Sequence, residues 1–380
     1  PQLPGYTVLK QALGRYRNIR ERGGWPSLAA GPTLNPGDEG ERVLILRWRL
    51  VSTGDLSGES LDSPVFDEEL KEAVLRFQHR HYLEEDGLVG KQTLAALNQS
   101  IDEKIDQIRV NLERLRWLSH DKPDNCILID IAGYTLTLHL GHDFTWSTRV
   151  VVGKPYHKTP TLAAAIKYLV INPTWTIPRS IFRNEVLPKI KKDSSYLQKE
   201  NLQVVTPNGR VIPRSSINWY NHTGRSFPYL LRQTPGPHNA LGRIKFIFPN
   251  KHSVYLHDTP HRKLFEKEQR AFSHGCIRVD KPLELAEIIL KNDGQDWDLE
   301  RLERVIASRK IKTVYLNQPL PIMLLYWTVN ASDAQTVSFK HDVYGRDQLL
   351  LEALDGGFDP RRNIFQVPKW GEEVELHGSK

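Results

Sequence analysis

The chain has only two cysteines and one methionine in 380 residues. Two thiols cannot make a disulfide framework. No run approaches the roughly 18 uncharged apolar residues of a membrane span, so none is expected. No secretory signal is evident, and the sequence opens on Pro1, as expected of a trimmed or mature form. A Lys/Arg stripe interleaved with aromatics is missing, which argues against nucleic acid as a partner. No internal repeat is evident. His238, His252, His257 and His274 stand at spacings that match no metal signature, so neither a metal nor another cofactor is expected. The formal charge of +7 favours solubility and anionic partners or surfaces.

The two cysteines sit in different company. Cys126 opens Cys126-Ile127-Leu128-Ile129, an apolar β-type run, and reads as core. Cys276 lies in Ser273-His274-Gly275-Cys276-Ile277-Arg278-Val279. Gly275 lets backbone approach a ligand closely. Arg278 and a nearby imidazolium would lower the thiol pKa, and the thiolate is the nucleophile. A second histidine, His257, ends the strand-like Ser253-Val254-Tyr255-Leu256-His257, 19 positions before Cys276. A Cys with a His base is the minimal activated nucleophile for acyl transfer. His274 is the alternative base. Asp258 adjoins His257, but neighbouring strand residues face opposite ways. A backbone carbonyl is therefore expected to orient His257.

In chain order, three- and four-residue apolar steps predict helices over residues 7–21, within 40–98 and over 101–118. The last is the most clearly amphipathic and is expected to pair with the first as a stalk. From residue 126 the period becomes strand-like. Residues 179–232 break that pattern with a helix at 181–190 and polar, irregular sequence, which in a β domain reads as a lid or binding loop. Late strands are expected at 313–316 and 323–329, then a tail of little periodicity. The expected organisation is an N-terminal helix and linker (1–39), a helical module (40–100), a linker helix (101–122), a catalytic domain (123–345, with 179–232 inserted) and a tail (346–380). The fold class is α+β: a mostly β, sandwich-like catalytic domain with an inserted helical and irregular lid, a three-helix module and a helical stalk.

Two stretches resemble known families. Gly40, Val43, Leu46, Leu50, Phe66, Ala73, Phe77-Gln78, Asp86-Gly87, Val89-Gly90, Thr93 and Leu97-Asn98 resemble the type 1 peptidoglycan-binding domain. His257, a gap of 15, Ser-His-Gly-Cys, one apolar residue and then Arg278 resemble the L,D-transpeptidases of bacterial cell walls. Val151-Val152-Gly153-Lys154, Asn172-Pro173-Thr174-Trp175 and Pro237-His238-Asn239-Ala240-Leu241-Gly242 fit the same family. With the module and the insertion, the chain looks most like the long Gram-negative type, whose capping subdomain residues 179–232 would supply.

The resemblance implies an enzyme of the periplasm or cell envelope acting in cell-wall biogenesis and cell shape. Its partners would be donor and acceptor peptidoglycan stem peptides, and carbapenem β-lactams would be covalent inhibitors. Cys276 would attack a tetrapeptide donor, release its terminal D-Ala and pass the acyl group from a thioester to a stem amine, giving a 3→3 cross-link. His257 would be the base, with His274 and Ser273 shaping the loop. Backbone N–H groups of Gly275 and Cys276 would line the oxyanion site, and Tyr255 could add its O–H. Arg278, Trp175 and Asn239 are candidate substrate contacts. Three other outcomes stay open: an L,D-carboxypeptidase, a cross-link-cleaving hydrolase with the same residues, and a non-catalytic wall-binding protein.

Overall fold

The computed structural model describes residues 4–58, 61–117, 123–333 and 336–356. Leu118, the end of the expected linker helix to 122, and residues 357–380 of the expected tail lie outside the described residues. The chain divides into two compact units.

The first unit begins with five helices: α1 (Pro4–Glu21), α2 (Glu41–Thr53), α3 (Glu68–Arg80), α4 (Lys91–Leu97) and α5 (Ile101–Trp117). The apolar stripes of α2, α3 and α4 meet. Val43, Leu46, Leu50, Phe66, Leu70, Phe77 and Leu97 share one buried cluster, each large side chain contributing about 1.5–3 kcal/mol. Asp67 starts α3 by accepting the Leu70 N–H at 2.9 Å. Buried Gln78 binds Asp86 Oδ1 (2.7 Å), the Leu88 carbonyl (3.0 Å) and Thr93 Oγ1 (3.2 Å), and accepts the Gly87 N–H (2.9 Å). This polar staple fixes the turn before α4 and ties Gln78, Asp86-Gly87 and Thr93 of the motif to one another. Leu9, Ala12 and Tyr16 of α1 pack with Ile105, Ile108 and Leu112 of α5, the pairing that the two stripes imply.

The second unit, residues 124–129 and 135–323, is built on strands. They are β1 (Cys126–Asp130), β2 (Thr135–Leu140), β3 (Phe144–Gly153), β4 (Leu162–Ile171), β5 (Trp175–Thr176), β6 (Leu202–Val205), β7 (Val211–Ile212), β8 (Leu230–Gln233), β9 (Ile244–Ile247), β10 (Leu256–His257), β11 (Ala271–Ser273), β12 (Ile277–Val279) and β13 (Lys312–Leu325). Nine form one sheet in the order β11-β3-β12-β10-β9-β4-β13-β1-β2, and β2 also pairs with β3. The expected mixed class holds, and the sandwich-like packing is realised as one sheet that closes on itself. Cys126, Ile127, Val150, Val151, Ile166, Phe246, Leu256 and Ile277 are fully buried.

Residues 179–232 are more ordered than their polar sequence implies. They hold α6 (Arg179–Ile181), a π-helical turn (Phe182–Val186), α7 (Leu187–Lys192) and α8 (Tyr196–Lys199). A separate sheet, β5-β8-β6-β7, completes the insertion. Phe182, Val186, Leu187, Ile190, Leu197, Val204, Phe227 and Leu231 make its own core.

Helices α9 (Pro282–Asn292) and α10 (Leu299–Ala307) precede β13. β13 is one strand of 14 residues where two short strands were expected. β14 (Val329–Ala331), β15 (Val337–Phe339) and α11 (Asp347–Asp355) belong to the helical unit. α11 lies where a tail was expected. Arg114 Nη1 meets Asp347 Oδ1 at 2.6 Å, and Gln107 binds the Thr328 and Lys340 carbonyls. The α5 partners of α11 are more than 200 residues away in sequence, so its local pattern alone was a poor guide.

Candidate active site

Register delivers the proposed base and nucleophile together. β10 is parallel to β12, with Leu256 opposite Ile277 and His257 opposite Arg278. One step back along that pairing, Tyr255 faces Cys276. β10 is antiparallel to β9, with His257 opposite Lys245. Lys245, His257 and Arg278 therefore form a row across three adjacent strands. Tyr255 and His257 share one face, their ring centroids 5.8 Å apart.

His257 is buried, and its Nδ1 lies 2.5 Å from the Asp258 carbonyl. A carbonyl only accepts, so Nδ1 carries the hydrogen and Nε2 presents its lone pair. The Asp258 carboxylate faces elsewhere. It accepts the Arg243 N–H (2.8 Å) and Nε (3.1 Å) and the Thr259 N–H (2.7 Å), and pairs with Arg262. Burial, then the Arg278 charge, with Lys245 adding, push the His257 pKa down to about 3; only the Asp258 carbonyl opposes. The imidazole is neutral.

Cys276 is half-buried. Desolvation raises its pKa, while the Tyr255 N–H and O–H, Arg278 and Lys245 pull the other way. Its Sγ lies 4.0 Å from the Ser253 carbonyl. Ser253 sits at φ 54, in a turn braced by Asn250 Oδ1, which accepts the His252 (3.0 Å) and Val254 (3.2 Å) N–H groups. Among the described residues no hydrogen bond joins Cys276 to His257. The resting pair is a thiol beside a neutral imidazole, and catalytic hydrogen bonds often tighten only once substrate is bound.

The loop is clamped from both sides. Ser273 Oγ donates to the Cys276 carbonyl (2.5 Å) and accepts the Gly275 N–H (3.0 Å). Gly275 has φ 113, which only glycine adopts without strain. Thr159 Oγ1 accepts the Gly153 N–H (2.9 Å) and donates to the Gly275 carbonyl (2.9 Å). A Cβ on Gly153 would fall 2.0 Å from the His157 carbonyl and 3.1 Å from Gly275 Cα, so β3 must end in glycine here.

Two expectations change. The Gly275 N–H is engaged by Ser273 and does not point freely at an oxyanion. Asn239 is buried and fully used: Nδ2 donates to the Pro173 and Thr234 carbonyls (both 2.9 Å) and Oδ1 accepts the Leu241 N–H (2.8 Å). It braces the turn before β9 and has both its N–H donors spent inside the protein. Trp175 packs against the insertion's core, which favours a structural part for it. His274 turns toward the insertion. Its Nε2 meets Glu185 Oε1 at 2.6 Å, and its ring lies 5.0 Å from that of His157.

Lys245, Glu185, Thr159 and Ser253 were missed. Lys245 alone left a signal: a lysine inside Ile244-Lys245-Phe246-Ile247, an apolar strand, needs a reason to be there. No group of three metal-binding side chains occurs among the described residues.

Residues 124–306 match the L,D-transpeptidase catalytic domain (YkuD), and residues 39–97 match a putative peptidoglycan binding domain. The chain is 35% identical over 246 residues to a putative L,D-transpeptidase of Haemophilus influenzae, an alignment covering 64% of this chain and 48% of that protein. This chain thus spans about half the length of that relative. It also overlaps the L,D-transpeptidase (Yku) from Stackebrandtia nassauensis, at 15% identity, 79% and 96% coverage and TM-score 0.26. An L,D-transpeptidase from Mycobacterium smegmatis overlaps at 13% identity, 53% and 58% coverage and TM-score 0.25.

Proposed function

We propose that this chain, which carries an L,D-transpeptidase catalytic domain of the YkuD family and a peptidoglycan-binding module, transfers acyl groups between peptidoglycan stems through a Cys276 thioester. The observation that carries the reading is the neutral His257 beside the Cys276 strand end, with Nδ1 tied to the Asp258 carbonyl. The S–H proton passes to His257 Nε2 as sulfur attacks the carbonyl before the terminal D-Ala of a tetrapeptide. The tetrahedral oxyanion gains from the Cys276 N–H and the Tyr255 O–H. Collapse breaks the C–N bond, and His257 returns the proton to the leaving amine. An acceptor amine then gives a proton to His257, attacks the thioester and regenerates the thiol, leaving a 3→3 cross-link. The Glu185–His274 link supports residues 179–232 as a cap that shields the thioester from water. Acting on cell-wall stems places the protein outside the cytoplasm, in the periplasm or envelope.

The second reading replaces the acceptor amine with water, making a carboxypeptidase or cross-link hydrolase; the half-open thiol favours neither. Incubation with tetrapeptide stems and mass spectrometry separates them. Dimers with loss of D-Ala support transfer, and trimmed monomers support hydrolysis. No D-Ala release and no acyl mass on Cys276 would sink both. A carbapenem adduct on Cys276, absent in Cys276→Ser, would test the inhibitor assignment.

A further inference from the structure

Lys245 and Arg278 flank His257 from the two neighbouring strands, and neither has a carboxylate partner among the described residues. The Arg278 Nε is buried and makes no hydrogen bond. Lys245 lies half-buried with its ammonium 5.7 Å from the Tyr255 ring centroid, a contact that leaves its donors unpaired. The acid of this strand, Asp258, is on the opposite face and already holds Arg243 and Arg262. Burying a cation without a counter-charge is costly. Two such cations converging on one sulfur, with the nearby acid turned away, leave a place for an anion that arrives from outside.

We infer that Lys245 is a specificity-determining residue that, with Arg278, receives the free terminal carboxylate of the acyl donor. This inference rests on the acyl-transfer reading above. The terminal carboxylate is the fitting anion because of reach. Consecutive Cα atoms are about 3.8 Å apart, so the carboxylate of a residue just beyond the scissile bond lies within about 5 Å of the attacked carbon. A carboxylate at the far end of a long side chain lies well beyond that. Arg278 lies two residues from Cys276 on the same face of β12, and the Lys245 ammonium lies 5.7 Å from the ring of Tyr255, the residue that faces Cys276, so both cations flank the sulfur. The pair then selects donors whose leaving residue is the last one. A donor extended by another residue, or capped as an amide, leaves two half-buried cations unpaired.

The test uses two tetrapeptide donors that differ only in a terminal carboxylate or carboxamide. Release of the last residue is followed by mass spectrometry for the wild type, Lys245→Met and Lys245→Gln. The wild type is expected to prefer the carboxylate by about ten- to a hundredfold in kcat/KM, the size of a charge-assisted contact. Lys245→Met should lose more on the carboxylate donor than on the carboxamide, the difference appearing in KM, so that the ratio between the two donors falls toward one. Lys245→Arg should recover part of the preference. Equal losses on both donors would mean that Lys245 acts only on the thiol or on His257, and would overturn the assignment. Discrimination that survives in both neutral variants would overturn it too. Failure of the wild type to release either terminal residue would instead overturn the acyl-transfer reading itself, and this assignment with it. A thermal melt unchanged from the wild type confirms that the variants are folded.

Discussion

The resting state of Cys276 can be tested without substrate. Burial raises the Cys276 pKa and holds the His257 pKa at about 3. At pH 7 an imidazole of that pKa is protonated in about one molecule in ten thousand. An ordinary cysteine is only a few per cent ionised there, and Cys276 is less so. No thiolate–imidazolium pair exists to be alkylated. Iodoacetamide should therefore react with Cys276 at a rate that climbs about tenfold per pH unit between pH 7 and 9, with no plateau below 7. A preformed ion pair would instead give a flat rate across neutral pH. Labelling is read by intact mass, with Cys276→Ser as the baseline; Cys126 is fully buried and should stay unmodified. Tyr255→Phe removes an O–H that favours the thiolate, so its profile should move to higher pH. Fast, pH-independent alkylation near pH 6 would refute the neutral-pair argument.

Three further outcomes follow from the geometry. His257→Gln keeps the bulk but loses the proton acceptor, so kcat for D-Ala release should fall about 10²- to 10⁴-fold; undiminished turnover would move the base elsewhere. Glu185→Gln weakens a part-exposed link to His274, worth about 0.2–1 kcal/mol. Hydrogen exchange in residues 179–192 should then quicken by up to about fivefold, and unchanged exchange would make the link incidental. Asn239→Ala leaves the Pro173 and Thr234 carbonyls and the Leu241 N–H unpaired, costing about 1–3 kcal/mol; thermal melting should report this, with donor KM unchanged.

Periodicity made the helices and the strand carrying His257 legible because each buries one face of its own sequence. Alternation also turned Asp258 away from the imidazole, leaving its carbonyl to bind Nδ1. The rest depends on partners far along the chain. The insertion's sheet uses strands of two to four residues, too short to show a period, and only their pairing stabilises them. Glu185 meets His274 across 89 positions. Asn239 looked like a substrate contact because its sequence neighbours fit the family, while the three groups that consume its amide are set by the folded turn. Lys245 could be noticed as a misplaced charge, yet only the register of β9 against β10 reveals that it stands beside the base.

That register links recognition to chemistry. His257 is held down first by burial and then by the two cations of its row. A carboxylate seated between them cancels much of their field without restoring water, so the imidazole becomes more basic when donor is bound. The free enzyme has a depressed His257 pKa, and the base must be neutral to act. The acid limb of kcat/KM should therefore lie at low pH, and that of kcat, which reports the bound complex, at higher pH. Lys245→Met removes one of the two cations, so its kcat/KM limb should move up toward the kcat limb. With the carboxamide donor, which brings no charge, the two limbs should coincide in the wild type. Coincident limbs with the carboxylate donor would break the link between binding and base strength, leaving His257 tuned by burial alone.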